Sequence, residues 1–231
     1  MIQFNERVHA YIAAKYYVYL TESFGERGRQ AFLHATRYYA EQRGRRMAQR
    51  AIRDGRTLDF GTYQEYGEWV STPEMIEGNM SNQSEVTSWS PDLTMKITRC
   101  PWHLQFASMG LVEAGHDYCS DLDCSICRGF NPELQYDVLQ TLHKSDCCIH
   151  IVRNAGFAEG EAHPKKMEYV RDFEYHCAHS YWSYADITKS VFGSEGEMIS
   201  SRVLADLAAD YSRDMADTLM KYRDTDFNLC D

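Results

Sequence analysis

The residues best suited to chemistry sit in the middle of the chain, where six of its eight cysteines fall between Cys100 and Cys148. In Cys100-Pro101-Trp102-His103 the proline fits the first helical position, which puts Cys100 at the N-cap. The positive end of a helix and its unpaired N–H groups favour a thiolate there, and His103, one turn on, is placed to take the thiol proton. A Cys–His pair of this kind makes a thiol nucleophilic at neutral pH. Further along, Cys119 and Asp123 lie four apart and share one helix face, so the carboxylate is suited to orienting a base or a water. Each reading has a plainer counterpart. Free cysteines pack as small inert hydrophobes, and an acidic helix face is ordinarily solvated.

Cys124-x-x-Cys127 has metal-ligand spacing, but a zinc ribbon needs a second such pair. Cys147 and Cys148 are adjacent, so on a strand they point to opposite faces and do not readily serve one site. His176 and His179 share a face near Glu174, a second metal-like grouping, although exposed or core-satisfied histidines are the simpler account. Nine arginines lie between Arg27 and Arg56. Most belong to a solvated, ion-paired helix, while one turned inward would suit a bidentate pair with a substrate carboxylate. The sequence contains no Walker motif, Gly-x-Gly-x-x-Gly, His-Glu-x-x-His or Gly-x-Ser-x-Gly. Nucleotide hydrolysis, Rossmann redox chemistry, zincin proteolysis and α/β-hydrolase esterase chemistry therefore lose support.

The elements that must position these residues follow from periodicity. Helical spacing covers 6–24, 27–54 and a short stretch at 62–70, with Gly44 a weak point in the second. Residues 85–89 and 93–98 read as a hairpin around Ser90-Pro91-Asp92. Helical spacing resumes at Pro101 and runs past Tyr118 with a break at Gly110, and 134–139 and 148–152 form two more strands. Helices cover 168–191 and a last segment through Tyr222, for which Ser194 and Glu197 form a capping box. No internal repeat is evident. The expected class is α+β: an antiparallel sheet of about four strands packed with N- and C-terminal helices in one domain. Residues 1–75 form its helical first part, 76–155 the sheet and central helices, and 156–231 a helical pair.

Composition bounds the function. The 231 residues carry 34 acidic and 24 basic side chains, a formal net charge of -10, which disfavours nucleic acid. No apolar run is long enough to span a membrane, and the segment from Met1 to Arg7 lacks signal-peptide character, so a cytoplasmic protein with reduced thiols is expected.

Several motifs taken in order resemble the L-2-amino-thiazoline-4-carboxylic acid hydrolase family. They are Arg43-Gly44-Arg45-Arg46-Met47-Ala48-Gln49-Arg50-Ala51, Cys100-Pro101-Trp102, Tyr118-Cys119 with Asp123, and Arg128-Gly129-Phe130-Asn131-Pro132-Glu133-Leu134. Thr141-Leu142 and Asp146-Cys147-Cys148 complete the set. Cys124 and Cys127 fall outside that pattern. The resemblance implies hydrolytic opening of a small carboxylated heterocycle at its C=N carbon, with Cys100 or Cys119 assisting the attack. His103 or His179 would move protons, and Asp123 would orient a base or a water. Arg46, Trp102, Tyr118, Asn131 and Cys148 are the expected substrate contacts. No cofactor is expected, though a metal ion is left open, as is a homo-oligomer. The rival reading is a non-catalytic metal- or redox-sensing module built on the Cys100–Cys148 cluster. A metal-dependent hydrolase lies between the two.

Overall fold

The computed structural model describes residues 3–230; Met1 and Ile2, part of the N-terminal reading above, lie outside them. Its elements are α1 (Glu6–Phe24), α2 (Glu26–Arg53), α3 (Phe60–Glu65), α4 (Pro73–Glu77), β1 (Gln83–Ser88), β2 (Leu93–Arg99), α5 (Pro101–Ser108), α6 (Val112–Phe130), β3 (Tyr136–Gln140), β4 (Cys148–Val152), α7 (Phe173–Phe192), α8 (Ser194–Asp210) and α9 (Arg213–Met220). The class is α+β, as expected. The four strands form one antiparallel sheet in the order β1-β2-β4-β3.

α1, α2, α7 and α8 enclose the main core, in which Ile12, Leu20, Phe32, Val203 and Leu207 are fully buried. α6 separates this bundle from the sheet and packs on both α2 and β3. The α2–α6 crossing depends on two glycines. A Cβ on Gly44 would lie 2.1 Å from the Ile126 carbonyl oxygen, and one on Gly129 would lie 2.4 Å from that of Glu41. Gly44 is thus no weak point; α2 runs unbroken through it. The close approach brings Arg43 on α2 level with Ile126, one turn beyond Asp123.

Alternation along the strands sets the inner sheet face. Met95 pairs with His150 and Ile97 with Cys148, so His150 and Cys148 point the same way, toward α6.

Three local expectations are corrected. The final helix divides at Tyr211, where Ser212 caps a separate α9 by accepting from the Met215 N–H. The Ser194 capping box does not form, because Gly193, at φ 60°, takes the N-cap position and Ser194 is already helical. α7 begins at Phe173 rather than 168, capped by Asp172, with only a 3-10 turn at Met167–Tyr169 before it. One sequence pattern also recurs. Phe24-Gly25-x-x-Gly28 joins α1 to α2, and Phe192-Gly193-x-x-Gly196 joins α7 to α8, with the two phenylalanine rings stacked on each other.

Candidate active site

A cavity of about 540 Å³ opens between the inner sheet face, α6, the C-terminal half of α2 and the segment 157–165. Its volume falls in the usual range for small-molecule sites, roughly 300–1,000 Å³. Aromatic side chains form most of its walls: Phe60, Tyr63, Trp69, Trp89, Tyr136 and Phe157. Six charged or titratable side chains besides the tyrosines line it, namely Arg43, Asp123, His150, Glu161, His163 and Lys165.

Three of its polar side chains meet at one ring nitrogen. The Tyr136 hydroxyl lies 2.7 Å from His150 Nδ1, and Asp123 Oδ2 lies 3.9 Å from the same nitrogen. Burial lowers the His150 pKa, with Asp123 pulling the other way, so the ring is neutral at pH 7. Burial, and next Asp123, raise that of Tyr136 well above the ordinary value and keep its proton in place. The Asp123 side chain is 39% exposed, so the carboxylate is wet on one side and faces a buried imidazole on the other. Burial and Arg43 hold Lys165 down to about 8.

Of the residues singled out by sequence, only Asp123 lines this cavity. Cys148 stands beside His150 on the inner face of β4, buried, its sulfur accepting from the Leu142 N–H. Cys100 does take the N-cap of α5. Its thiol is nevertheless driven up to about 12, because burial outweighs the pull of the His103 and Trp102 N–H groups. The helix-activated thiolate is thus overridden by desolvation. Cys119 follows the same direction: burial, then the neighbouring Cys100 and Asp123, raise it. It has a partner that sequence did not suggest, since its sulfur is 3.5 Å from His143 Nε2, and His143 Nδ1 is 3.4 Å from His103 Nδ1. Burial, and next His103, depress His143 to about 4. His103 therefore reaches Cys119 only through His143.

The other expected contacts are engaged elsewhere. Arg46 is fully buried, with Nε and Nη2 on the Glu68 carboxylate and Nη1 on the Phe227 carbonyl. His179 is also fully buried, with its ring nitrogens on Gln42 and Arg46. Trp102 donates to His9 Nδ1, which fixes that ring with Nε2 protonated and donating to the Tyr39 hydroxyl. Tyr118 is buried against Phe106. Asn131 ties two loops, donating to the Leu58 carbonyl and accepting from the Glu133 N–H. Cys124 and Cys127 stay within α6, Cys127 in a small core with Phe60, Leu93 and Val152. Among the described residues, no three His, Cys, Asp or Glu side chains gather as a metal site.

Sequence reasoning missed His150, Tyr136, Arg43 and Lys165. For His150 the signal was its i, i+2 relation to Cys148 on one strand. Arg43 stood in the arginine run without a mark to single it out, and Lys165 carried no local signal.

No curated protein and no solved structure matches the chain. A protein-family model does, over residues 5–151, well over half of the chain and including α2, α6 and the strands that build the cavity. On that match the chain belongs to the L-2-amino-thiazoline-4-carboxylic acid hydrolase family.

Proposed function

We propose that the protein is a hydrolase that opens a small carboxylated heterocycle, of the thiazoline or cyclic amidine kind, at its C=N carbon. The observation that carries this reading is the cluster of Asp123 and Tyr136 at His150 Nδ1 on the wall of a largely aromatic cavity. A neutral imidazole whose Nδ1 faces a carboxylate and a protonated phenol can accept a proton there on one step and return it on the next. A water held by Asp123 adds through oxygen to the ring carbon, and its proton passes by way of the imidazole to the ring nitrogen. The C–N bond then breaks as the carbon–oxygen double bond forms. The hydroxyl proton goes to the departing nitrogen, leaving a carbamoyl group and a free amine. The aromatic walls surround the buried imidazole and lower the polarity on that side, which strengthens these charge interactions.

A covalent variant has its own support in the Cys119–His143 contact. The imidazole is neutral and positioned to take the thiol proton, and the resulting thiolate would attack the same ring carbon. The resting thiols are held protonated by burial, and none of the cysteines lines the cavity, which favours direct attack by water. The two mechanisms separate in an assay of L-2-amino-thiazoline-4-carboxylate opening, followed by mass spectrometry. Direct attack predicts that His150→Gln lowers kcat by about 10²–10⁴ while Cys100→Ser and Cys119→Ser keep most of it. The reverse pattern replaces it with the covalent mechanism.

A further inference from the structure

We infer that Arg43 and Lys165 form the seat for a carboxylate on the substrate, and so set which end of the heterocycle meets Asp123. This inference rests on the hydrolase reading for the identity of the ligand, and on the cavity itself for the seat.

Arg43 is only 7% exposed, yet its guanidinium makes no hydrogen bond to any described residue, and its buried Nε has no partner. A guanidinium carries five donors in a fixed fork, and leaving the buried Nε without an acceptor costs about 1–3 kcal/mol unless a ligand supplies one. Glu68 does not supply them. Its two oxygens are held at 2.7 Å by Arg46 and 2.6 Å by Arg50, and Arg43 approaches no closer than 3.8 Å. The same carboxylate that locks Arg46 into the core leaves Arg43 facing the cavity with its donors unused.

Lys165 supplies a second cation from the opposite chain segment. Its stem runs over Gly67, where a Cβ would lie 3.1 Å from the lysine Cε, and its ammonium donates to the Trp69 carbonyl. No carboxylate among the described residues lies within ion-pair distance of it. Arg43 is one of the two causes that depress its pKa, so the two cations sense each other across the cavity. Two cations that face one cavity without a shared anion repel each other, and a carboxylate between them removes that repulsion and engages the guanidinium fork. Of the two carboxylates on the cavity wall, Glu161 is paired with His163 at 2.9 Å, while Asp123 faces His150 and would repel a carboxylate. A substrate with an acid at one end and a basic C=N at the other is therefore oriented with the acid at Arg43 and Lys165 and the reacting carbon toward Asp123 and His150.

The probes are thiazole-4-carboxylate, whose aromatic ring resists opening, and its neutral carboxamide. Binding is read by titration calorimetry and by the fluorescence of Trp69 and Trp89, both in the cavity wall. The acid is expected to bind about tenfold or more tightly than the amide. Lys165→Met is expected to remove about tenfold of the acid's affinity and leave the amide's unchanged, and Arg43→Gln to do the same more strongly. Lys165→Met, at a half-buried position outside the Glu68 cluster, keeps the test decisive if Arg43→Gln fails to fold. Equal affinity for acid and amide, unchanged acid affinity in Lys165→Met, or no binding of the acid to the unaltered protein would each overturn the seat. Turnover is not measured, so the seat and the hydrolase reading fail separately. Charge-selective binding without ring opening would leave the seat standing and remove the reaction.

Discussion

At the scale of single residues, burial decides more than local motif. Cys100 has the helix position that lowers a thiol pKa, yet desolvation pushes it up to about 12. Its alkylation, and that of Cys119, is therefore expected to be slow at pH 7.5 and to accelerate only above pH 9, as peptide mapping after iodoacetamide treatment would show. Fast labelling of either at neutral pH would contradict the protonated resting thiols. Arg46 and Arg43 make the same point, being three positions apart on one helix. Arg46 ends in a buried, hydrogen-bonded ion pair and Arg43 in the cavity, because the single carboxylate of Glu68 hydrogen-bonds the first and comes only within 3.8 Å of the second. No spacing rule distinguishes them, since the difference is fixed by a residue 22 positions beyond Arg46 in sequence. Asp123 was legible because a helix places i and i+4 on one face. His150 was equally accessible through strand alternation from Cys148, but a histidine between isoleucines in a short strand reads as a core residue.

At the scale of elements, most boundaries followed from pattern. α1, the β1–β2 hairpin and β4 lie where periodicity and turn residues put them, and the break at Gly110 is real. The division of α8 from α9 was hidden because Leu207, Met215 and Leu219 keep one apolar spacing across it, while the backbone break is made by Ser212 as a cap. Lys165 was hidden for another reason. Its place depends on a segment outside regular structure, held to residues about a hundred positions earlier by Lys166 N–H to the Glu65 carbonyl and Arg171 N–H to that of Glu68. The element contact most critical to the site is the α2–α6 crossing. Gly44→Ala would drive a methyl into the Ile126 carbonyl, a contact that backbone cannot relieve cheaply. It should cost about 2 kcal/mol or more and lower Tm by roughly 4–8 °C. Calorimetry that finds Gly44→Ala as stable as the unaltered protein would contradict the crossing.

At the scale of the whole molecule, the acidic surface surrounds a core with buried ionisable groups. His9, His176 and His179 are buried and neutral, with burial the leading cause in each, and His176 is held to about 3. An unfolded chain binds protons at these rings near pH 6.5 and the folded one does not, so their contribution is intact above pH 6.5 and declines as pH falls toward 3. Glu68 acts in the same direction. Burial raises its pKa, but Arg46 and Arg43 outweigh burial and bring it to about 2, so its stabilisation is present above its ordinary value of about 4.5 and is lost as pH falls through 2. Thermal unfolding should therefore show a plateau above pH 7 and a steep fall in Tm between pH 6 and pH 4. A Tm that is flat across that interval would contradict the neutral histidine core. The same molecule-wide packing sets bundle, α6 and sheet around one cavity in which Asp123 meets a buried imidazole, and the proposed chemistry depends on that meeting. The most direct test is the rate of L-2-amino-thiazoline-4-carboxylate opening by the unaltered protein and by Asp123→Asn, measured side by side at pH 7.5. Turnover by the first and a loss of about 10² or more in the second is the expected result. No turnover by the unaltered protein, or equal rates in both, would contradict the account.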